Sequence, residues 1–186
     1  MPENTSTRAG RESPEPARNP GAASVALYSL GNAELLAEAT GEIVELLESW
    51  GLLAPDSAVL DIGCGIGRLE SALSRRVASI TGIGSESELA GIADESVELV
   101  LLIDTLPYLI LSGSALAARL CAESARVLAP GGSLLILNAT YGGDADADLA
   151  EVAQLAEGAS LAFHRADWRP LRSWDAPAFQ LTKVRP

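Results

Sequence analysis

The chain has 186 residues, a length typical of one domain with a sizeable core, and 48% of its residues are hydrophobic while 20% are charged. Its 25 acidic residues outnumber 13 basic ones, and a net charge of -12 without a basic cluster argues against nucleic-acid binding. Two cysteines without a CxxC pattern argue against a disulfide framework or a zinc site, and the lack of a long apolar run or signal-peptide core favours a cytoplasmic protein that does not enter membranes.

Two regions of different composition divide the chain. Residues 1–20 combine several prolines with polar and charged residues, and they have too few apolar side chains to offset the entropy of ordering. We expect a disordered tail there and a folded domain over residues 21–186. That domain begins with an amphipathic helix, because Asn32 is a suitable N-cap, apolar residues follow at helical spacing, and Gly51 ends the pattern.

Strand and helix patterns then alternate along the domain. The expected strands cover residues 58–60, 78–83, 97–103, 133–137, 160–164 and 178–184, and the expected helices cover residues 68–76, 114–128 and 146–157. The alternation predicts an α/β fold with a doubly wound, Rossmann-like, mainly parallel sheet and helices on both faces. No helix separates the last two strands, so we expect them to form a C-terminal antiparallel hairpin at one edge.

The loop DIGCGIG, residues 61–67, carries the most information about function. In a strand–loop–helix unit, glycines let the backbone turn tightly and approach a ligand, and the helix N-terminus offers free N–H groups. Dinucleotide-binding enzymes use GxGxxG, but Arg68 occupies the third glycine position here, which disfavours a dehydrogenase. A carboxylate two residues before the first glycine, Asp61, suits a ligand with an ammonium group better than a pyrophosphate.

Several motifs in order resemble one enzyme family. The segment VLDIGCGIGRLESAL resembles motif I of the class I S-adenosylmethionine-dependent methyltransferases, and SVELVLLID, residues 96–104, resembles their fourth strand. The segment ARVLAPGGSLLI, residues 125–136, resembles their turn and fifth strand, and the last strand resembles their reversed terminal hairpin. The resemblance covers about residues 25–184 and implies that fold, S-adenosylmethionine as cofactor and methyl transfer as activity.

The resemblance also implies a cofactor site at the ends of two strands. The residues expected to hold the methionine portion are Asp61, Gly63, Cys64, Gly65, Ile103 and Asp104. Asp61 would lie near the cofactor amino group, and Asp104 would also face the substrate. The alternative for Asp61 is a loop carboxylate that caps turn N–H groups, and the alternative for Asp104 is an N-cap of a following helix.

The sequence departs from the family between the second and fourth strands. Family members place an acidic residue, which binds the ribose hydroxyls, at the end of the second strand, and a helix and a third strand follow. Here Gly84 directly follows the second strand and only residues 85–95 precede the next, so we expect the third strand and its helix to be missing. Glu86 or Glu88 would replace the ribose acid, or both are solvated loop carboxylates. The second strand would then be an exposed sheet edge, through which two copies could pair as a homodimer.

Residues outside these motifs support weaker hypotheses. Tyr28, Tyr108 and Trp174 are candidate walls of a substrate pocket, since aromatic side chains supply large rigid surfaces, although Trp174 fits a core or lid position equally well. Arg169 and Arg172 form a cationic pair that is a candidate for binding a substrate carboxylate.

Three alternating aspartates resemble the start of a calcium loop. They are Asp144, Asp146 and Asp148, but Leu149 replaces the glycine that such a loop requires. A charged helix start is the better interpretation, and we expect no metal site.

The sequence as a whole predicts an S-adenosylmethionine-dependent methyltransferase acting on a small-molecule acceptor. The alternative is a catalytically impaired methyltransferase-like protein with a binding role or no direct chemical role. Because methyl transfer relies largely on positioning two reactants, the absence of an obvious catalytic base does not argue against activity.

Overall fold

The computed structural model describes residues 32–84, 86–140, 144–173 and 175–185, so the expected tail over residues 1–20 lies outside the described residues. The α-helices are α1 (Ala33–Ser49), α2 (Arg68–Leu73), α3 (Leu106–Ser112), α4 (Ser114–Val127) and α5 (Ala145–Gly158). The strands are β1 (Ala58–Ile62), β2 (Ser79–Ile83), β3 (Val97–Ile103), β4 (Leu128–Leu137), β5 (Leu161–Asp167) and β6 (Ala178–Lys183), and a 3-10 helix covers Glu86–Gly91. Each predicted strand and helix is present.

The strands form one sheet in the order β2-β1-β3-β4-β6-β5. Strand β1 pairs in parallel with β2 and β3, and β3 pairs in parallel with β4. Strand β6 runs antiparallel to both β4 and β5, which confirms the predicted terminal hairpin. Because β2 and β3 lie on opposite sides of β1, the winding of the sheet reverses there, and a crevice opens between the carboxyl ends of β1 and β3.

Helices cover both faces of the sheet, as the alternating pattern predicts. Helices α1 and α2 pack on one face, where Ile43 and Leu73 share a buried cluster with Leu99 of β3. Helices α4 and α5 pack on the other face, where Leu120 shares a cluster with Val100. None of the helices in the described ranges is long and apolar enough to cross a membrane.

Two helices begin at the polar residues that the sequence indicated. The Asn32 side chain accepts hydrogen bonds at 3.1 Å from the N–H groups of Glu34 and Leu35, which caps α1. The Asp144 side chain accepts hydrogen bonds at 3.1 Å from the N–H groups of Asp146 and Ala147, which caps α5. The interpretation of the aspartate series as a helix start is therefore confirmed.

Strand β4 begins earlier than predicted. The sequence placed a Pro-Gly-Gly break before a strand from Ser133, whereas the strand runs from Leu128. Its register with β3 shifts between Val97, which is opposite Leu128, and Leu99, which is opposite Ser133. The residues between these pairs form an irregular bulge in which Gly131 has φ +86°, so the break residues bend the strand instead of ending it.

A short connection joins β2 to β3, as the sequence predicts. The 3-10 helix is its only regular element among the described residues, which exclude residue 85, and β2 lies at an edge of the sheet. Leu89 of this helix is fully buried, and the Arg126 guanidinium donates to the carbonyl oxygens of Leu89 at 2.9 Å and Ile92 at 3.0 Å. Asp94 forms an ion pair with the same guanidinium, so Arg126 holds the part of the connection from Leu89 to Asp94. Dimerisation through β2 stays a prediction.

A buried carboxylate joins α1 to the segment between β5 and β6. One oxygen of Glu42 accepts hydrogen bonds from the backbone N–H groups of Arg172 and Ser173 at 2.9 Å, and from the Ser173 hydroxyl at 2.8 Å. Its other oxygen lies 3.2 Å from Nε of Arg172. Burial alone raises the pKa of this carboxyl, but the Ser173 and Arg172 donors outweigh burial and lower the pKa overall.

Replacing Glu42 by alanine should reduce the free energy of unfolding by about 2–4 kcal/mol, because buried N–H groups lose their acceptor. A lowered pKa stabilises the fold above the unfolded value of 4.5, and this stabilisation disappears as the pH falls through the folded-state pKa. The loss should therefore shrink in acid, as denaturant titrations at several pH values would show. Glu45→Ala is the matched control, since its exposed contact with Arg172 is worth at most about 1 kcal/mol. Equal losses for the two variants would contradict this account.

Candidate functional site

The glycine loop, residues 63–67, connects β1 to α2 through three left-handed glycines. Gly63, Gly65 and Gly67 have φ values of +83°, +57° and +76°, which residues with a side chain rarely adopt. The N–H groups of Gly63 and Cys64 donate to the carbonyl oxygen of Ile83 at 2.8 and 3.3 Å, which ties the loop to the end of β2. A Cβ on Gly65 would meet no atom within 4 Å, so this side of the loop is open to a ligand.

The loops that follow β1 and β3 touch at Gly63 and Thr105. A Cβ on Gly63 would overlap the hydroxyl of Thr105, and that hydroxyl donates to the carbonyl oxygen of Ile62 at 2.9 Å. The two strand ends are thereby held together where the winding of the sheet reverses. Open α/β sheets bind their ligands in the crevice at this point.

Asp61 lies beneath the glycine loop as a buried carboxylate. Its residue is 2% exposed, and no ion pair joins it to another described residue. Burial and, to a smaller extent, the nearby Glu70 carboxylate raise its pKa to about 7, while the positive charge of Arg68 opposes the shift. Asp61 therefore lacks a full counterion, and a cationic ligand above the loop would stabilise its ionised form.

Arg68, the first residue of α2, places one guanidinium within electrostatic range of three carboxylates. Burial lowers its pKa, although the charges of Asp61, Asp104 and Glu70 act in the opposite direction. Its Nη1 donates to the hydroxyl of Thr40 on α1 at 2.9 Å. With three carboxylates around one guanidinium, the crevice has an excess of negative charge when Asp61 is ionised.

Asp104 directly follows β3 and has a left-handed backbone, at φ +58°. It is 8% exposed, its N–H donates to the carbonyl oxygen of Leu137 at 2.9 Å, and its Oδ1 accepts from Nδ2 of Asn138 at 2.7 Å. Thr105 is the N-cap residue of α3, so the alternative interpretation of Asp104 as that cap is wrong. The carboxylate of Asp104 is held at the strand end by Asn138 instead.

Two of the predicted cofactor residues offer mainly their backbone to the crevice. The side chain of Cys64 lies against Gly82 of β2, and burial raises the pKa of its thiol. The side chain of Ile103 is buried in the core beneath α1 and α2. Since Gly63 and Gly65 have no side chains, the loop can contact a ligand chiefly through main-chain groups.

Glu88 lies at the carboxyl end of β2, on the exposed side of the 3-10 helix. Its Oε1 accepts a hydrogen bond from the N–H of Gly84 at 3.2 Å. The structure thus brings Glu88 to the strand end where the resemblance places a ribose-binding acid, and its binding role stays a prediction.

The aromatic candidates are only partly within the described residues. Tyr108 lies on α3, directly after the crevice loop that contains Thr105, and is 39% exposed. Tyr28 and Trp174 lie outside the described residues. Tyr108 is therefore the one aromatic candidate that the structure places near the crevice.

The cationic pair at the end of the chain has partners within the protein. Arg169 Nε lies 3.1 Å from a carboxylate oxygen of Asp175, and Arg172 Nε lies 3.2 Å from Glu42. Both guanidiniums contact carboxylates of this chain, and the hypothesis that they bind a substrate carboxylate stays a prediction.

Sequence reasoning missed three polar residues of the crevice: Arg68, Thr105 and Asn138. The pattern marks Arg68 only as a departure from the dinucleotide motif. Asn138 carried a usable signal, because it follows the buried end of β4 as Asp104 follows the buried end of β3. Thr105 carried none, since its importance comes from a contact with Gly63, which is distant in the chain.

Replacing Asp61 by asparagine should raise the Tm at pH 8 and leave it nearly unchanged at pH 4. The Asp61 carboxyl has a pKa of about 7 in the folded state and 3.8 in the unfolded state, so its ionisation favours the unfolded state. The free energy of unfolding therefore falls as the pH rises from 3.8 to about 7. The amide removes the charge and keeps the shape. Thermal unfolding at both pH values measures the effect, with Asp56→Asn in the exposed turn before β1 as control. A lower Tm of the Asp61 variant at pH 8 would contradict the burial argument.

Alanine substitutions at Gly63 and Gly65 should have unequal costs. Both positions have a left-handed φ, so strain alone should cost about 1–2 kcal/mol at each. At Gly63 the added methyl group also overlaps Thr105, which should add about 1–3 kcal/mol. Denaturant unfolding of the two variants measures the difference, and equal costs would show that the two loops are not in close contact.

Comparison with solved structures identifies proteins of the same fold. An S-adenosylmethionine-dependent methyltransferase from Leishmania major matches this chain with a TM-score of 0.62 at 15% identity, and the match covers 86% of this chain and 77% of the methyltransferase. The N-methyltransferase NodS from Bradyrhizobium japonicum, in complex with S-adenosyl-L-homocysteine, matches with a TM-score of 0.57 at 13% identity, over 84% and 91% of the two chains. The magnesium protoporphyrin IX methyltransferase from Synechocystis, with bound S-adenosylmethionine, matches with a TM-score of 0.56 at 12% identity, over 82% and 85%.

These similarities concern the fold and not the sequence. No protein-family model matches the chain, and no curated protein is significantly similar to it. The structural matches cover most of this chain and of each matched chain. The chain therefore has the Rossmann-like α/β fold found in these methyltransferases.

Proposed function

We propose that this protein binds S-adenosylmethionine in the crevice between β1 and β3 and transfers its methyl group to a small-molecule acceptor. The observation that carries the proposal is the composition of the crevice. An open glycine loop lies above the buried carboxylate of Asp61, and a second buried carboxylate, Asp104, ends the adjacent strand. The shared fold supports the same conclusion without establishing the reaction.

The charge of the crevice fits this cofactor. S-adenosylmethionine brings a positive sulfonium and a positive ammonium group together with one carboxylate. The carboxylates of Asp61, Asp104 and Glu70 outnumber the single guanidinium of Arg68, so the ligand would supply the missing positive charge. Arg68 is the group suited to the cofactor carboxylate, because a guanidinium binds a carboxylate through two parallel N–H donors.

The short connection between β2 and β3 would hold the adenosine half. Glu88 is at the end of β2, where it is exposed and can accept hydrogen bonds from ribose hydroxyls. Burial of Leu89 and the hydrogen bonds from Arg126 keep the 3-10 helix in place. These contacts support the proposal that the 3-10 helix forms a wall for the adenosine half.

The protein's contribution to methyl transfer would be binding and orientation. When bound, S-adenosylmethionine would supply a methyl group whose carbon is attacked in line by a nucleophile of the acceptor, while the bond from that carbon to the sulfonium sulfur breaks and S-adenosylhomocysteine leaves. The glycine loop, Asp61 and Asp104 would fix the methionine end, and Tyr108 on α3 would form part of the acceptor wall. Correct orientation of two reactants accounts for a large share of the rate in such a displacement, so a dedicated base is not required.

A catalytically impaired protein of the same fold is the alternative. Gly84 directly follows β2, where the resemblance implies a ribose-binding acid, and this observation favours a weakened cofactor site. A working methyltransferase should bind S-adenosylhomocysteine, the product form of the cofactor, whereas an impaired protein should bind it weakly or not at all.

Calorimetric titration with S-adenosylhomocysteine should give a Kd of about 1 μM at pH 8, equivalent to about -8 kcal/mol. Below pH 7 the affinity should fall by about tenfold per pH unit, because the ligand ammonium favours ionised Asp61, whose pKa in the free protein is about 7. Asp61→Asn should bind more weakly and lose this pH dependence.

Gly65→Arg is the control for the binding site, because the new side chain would fill the open side of the glycine loop. It should abolish binding while Glu157→Gln, an exposed change on α5, leaves binding unchanged. NADH should not bind. Folded wild-type protein that fails to bind millimolar S-adenosylhomocysteine would contradict the proposed function and leave the impaired protein as the better account.

A further inference from the structure

Strands β3 and β4 end in the same unusual way. Asp104 after β3 and Asn138 after β4 have left-handed φ values of +58° and +65°, which is uncommon for residues other than glycine. Both residues are buried, at 8% and 6% exposure. Left-handed backbone at a non-glycine residue persists where the surrounding structure holds it, and it concentrates at binding sites.

A buried hydrogen bond connects the two residues. Nδ2 of Asn138 donates to Oδ1 of Asp104 at 2.7 Å. The N–H of Asn138 donates to the carbonyl oxygen of Pro177 at 2.8 Å, and the N–H of Asp104 donates to Leu137 at 2.9 Å. The backbone of Asn138 is therefore held in place by Pro177, and its side-chain amide can hold Asp104 in one orientation.

Stability alone does not explain a buried amide–carboxylate pair at this place. Apolar residues of similar volume stabilise a protein interior as well or better, because they avoid the cost of removing a charge from water. The pair lies at the crevice, where Asp104 also interacts electrostatically with Arg68. A role of the Asp104 carboxylate in ligand binding would explain why this buried group is present despite the cost of removing it from water.

We propose that Asn138 is a positioning residue, which orients the Asp104 carboxylate toward the positively charged end of a ligand in the crevice. This inference rests on the proposed function, since it takes the methionine end of S-adenosylmethionine as that ligand. Asn138 acts through Asp104 and has no contact of its own with the ligand.

The test is a double-mutant cycle on the affinity for S-adenosylhomocysteine. Asn138→Gly removes the amide and tolerates the left-handed backbone, so the protein should stay folded. We expect it to weaken binding about tenfold in the wild-type background. In the Asp104→Asn background, which is itself weakened, the same change should alter the Kd by less than about twofold, because there is no carboxylate left to orient.

A second variant separates positioning from a structural role. The double substitution Asp104→Asn with Asn138→Asp restores an amide–carboxylate hydrogen bond but moves the carboxylate from β3 to β4. We expect it to recover the Tm lost in Asn138→Asp, where two carboxylates face each other, without recovering affinity. Recovery of both would show that the pair only maintains the fold.

The outcomes distinguish this inference from the proposed function. If the wild-type protein binds S-adenosylhomocysteine and Asn138→Gly weakens binding equally in both backgrounds, Asn138 does not act through Asp104 and the inference is overturned alone. If the wild-type protein does not bind the ligand, the proposed function and the inference fall together.

Discussion

The close contact between Gly63 and Thr105 is the constraint on which the candidate site depends. It leaves no room for a Cβ on Gly63, and the Thr105 hydroxyl completes the contact by donating to Ile62. The glycine loop after β1 is thereby held against the loop after β3. Asp61 and Asp104, which are on separate strands, consequently belong to one crevice at the reversal of the sheet.

The second feature of the site is an imbalance of charge. Burial raises the pKa of Asp61, and the neighbouring Glu70 adds to this effect, while Arg68 compensates only in part. A protein interior tolerates such an imbalance poorly unless a ligand offsets it. The same arrangement that lowers the stability of the free protein at neutral pH therefore favours a cationic ligand, a relation between stability and function common at binding sites.

Local contacts hold the short connection between β2 and β3 in place. Arg126, from the end of α4, donates to two carbonyl oxygens of the connection and pairs with Asp94, while Leu89 anchors it in the core. These contacts explain how a single 3-10 helix can cover the edge strand end without a third strand and its helix beside it.

Much of the fold could be predicted from the sequence, because its signals are local. Strand β3 is apolar on both faces, α1 has a cap and an apolar stripe, and the glycine loop has a distinctive spacing. The start of β4 was misplaced, since a Pro-Gly-Gly segment normally ends a strand, and only pairing with β3 turns it into a bulge.

The candidate site was less predictable because its contacts join distant segments. Thr105 donates to the backbone of Ile62, and Asn138 donates to Asp104, from which two helices and a strand separate it in the chain. No local pattern identifies such a pair of partners, because hydrogen bonds of this kind depend on how helices and strands pack. Residues of the glycine motif, such as Asp61 and Gly65, could be named from the resemblance, whereas Thr105 could not, and Asn138 was marked only by its position after a buried strand.

The most direct test of the account is a crystal structure of the protein with S-adenosylhomocysteine. The account predicts that the methionine end lies between residues 61–65 and residues 103–105, with the adenosine half along the 3-10 helix near Glu88. A ligand bound elsewhere on the protein, or a crevice closed to it in crystals grown with saturating ligand, would contradict the central claim that this crevice is a cofactor site.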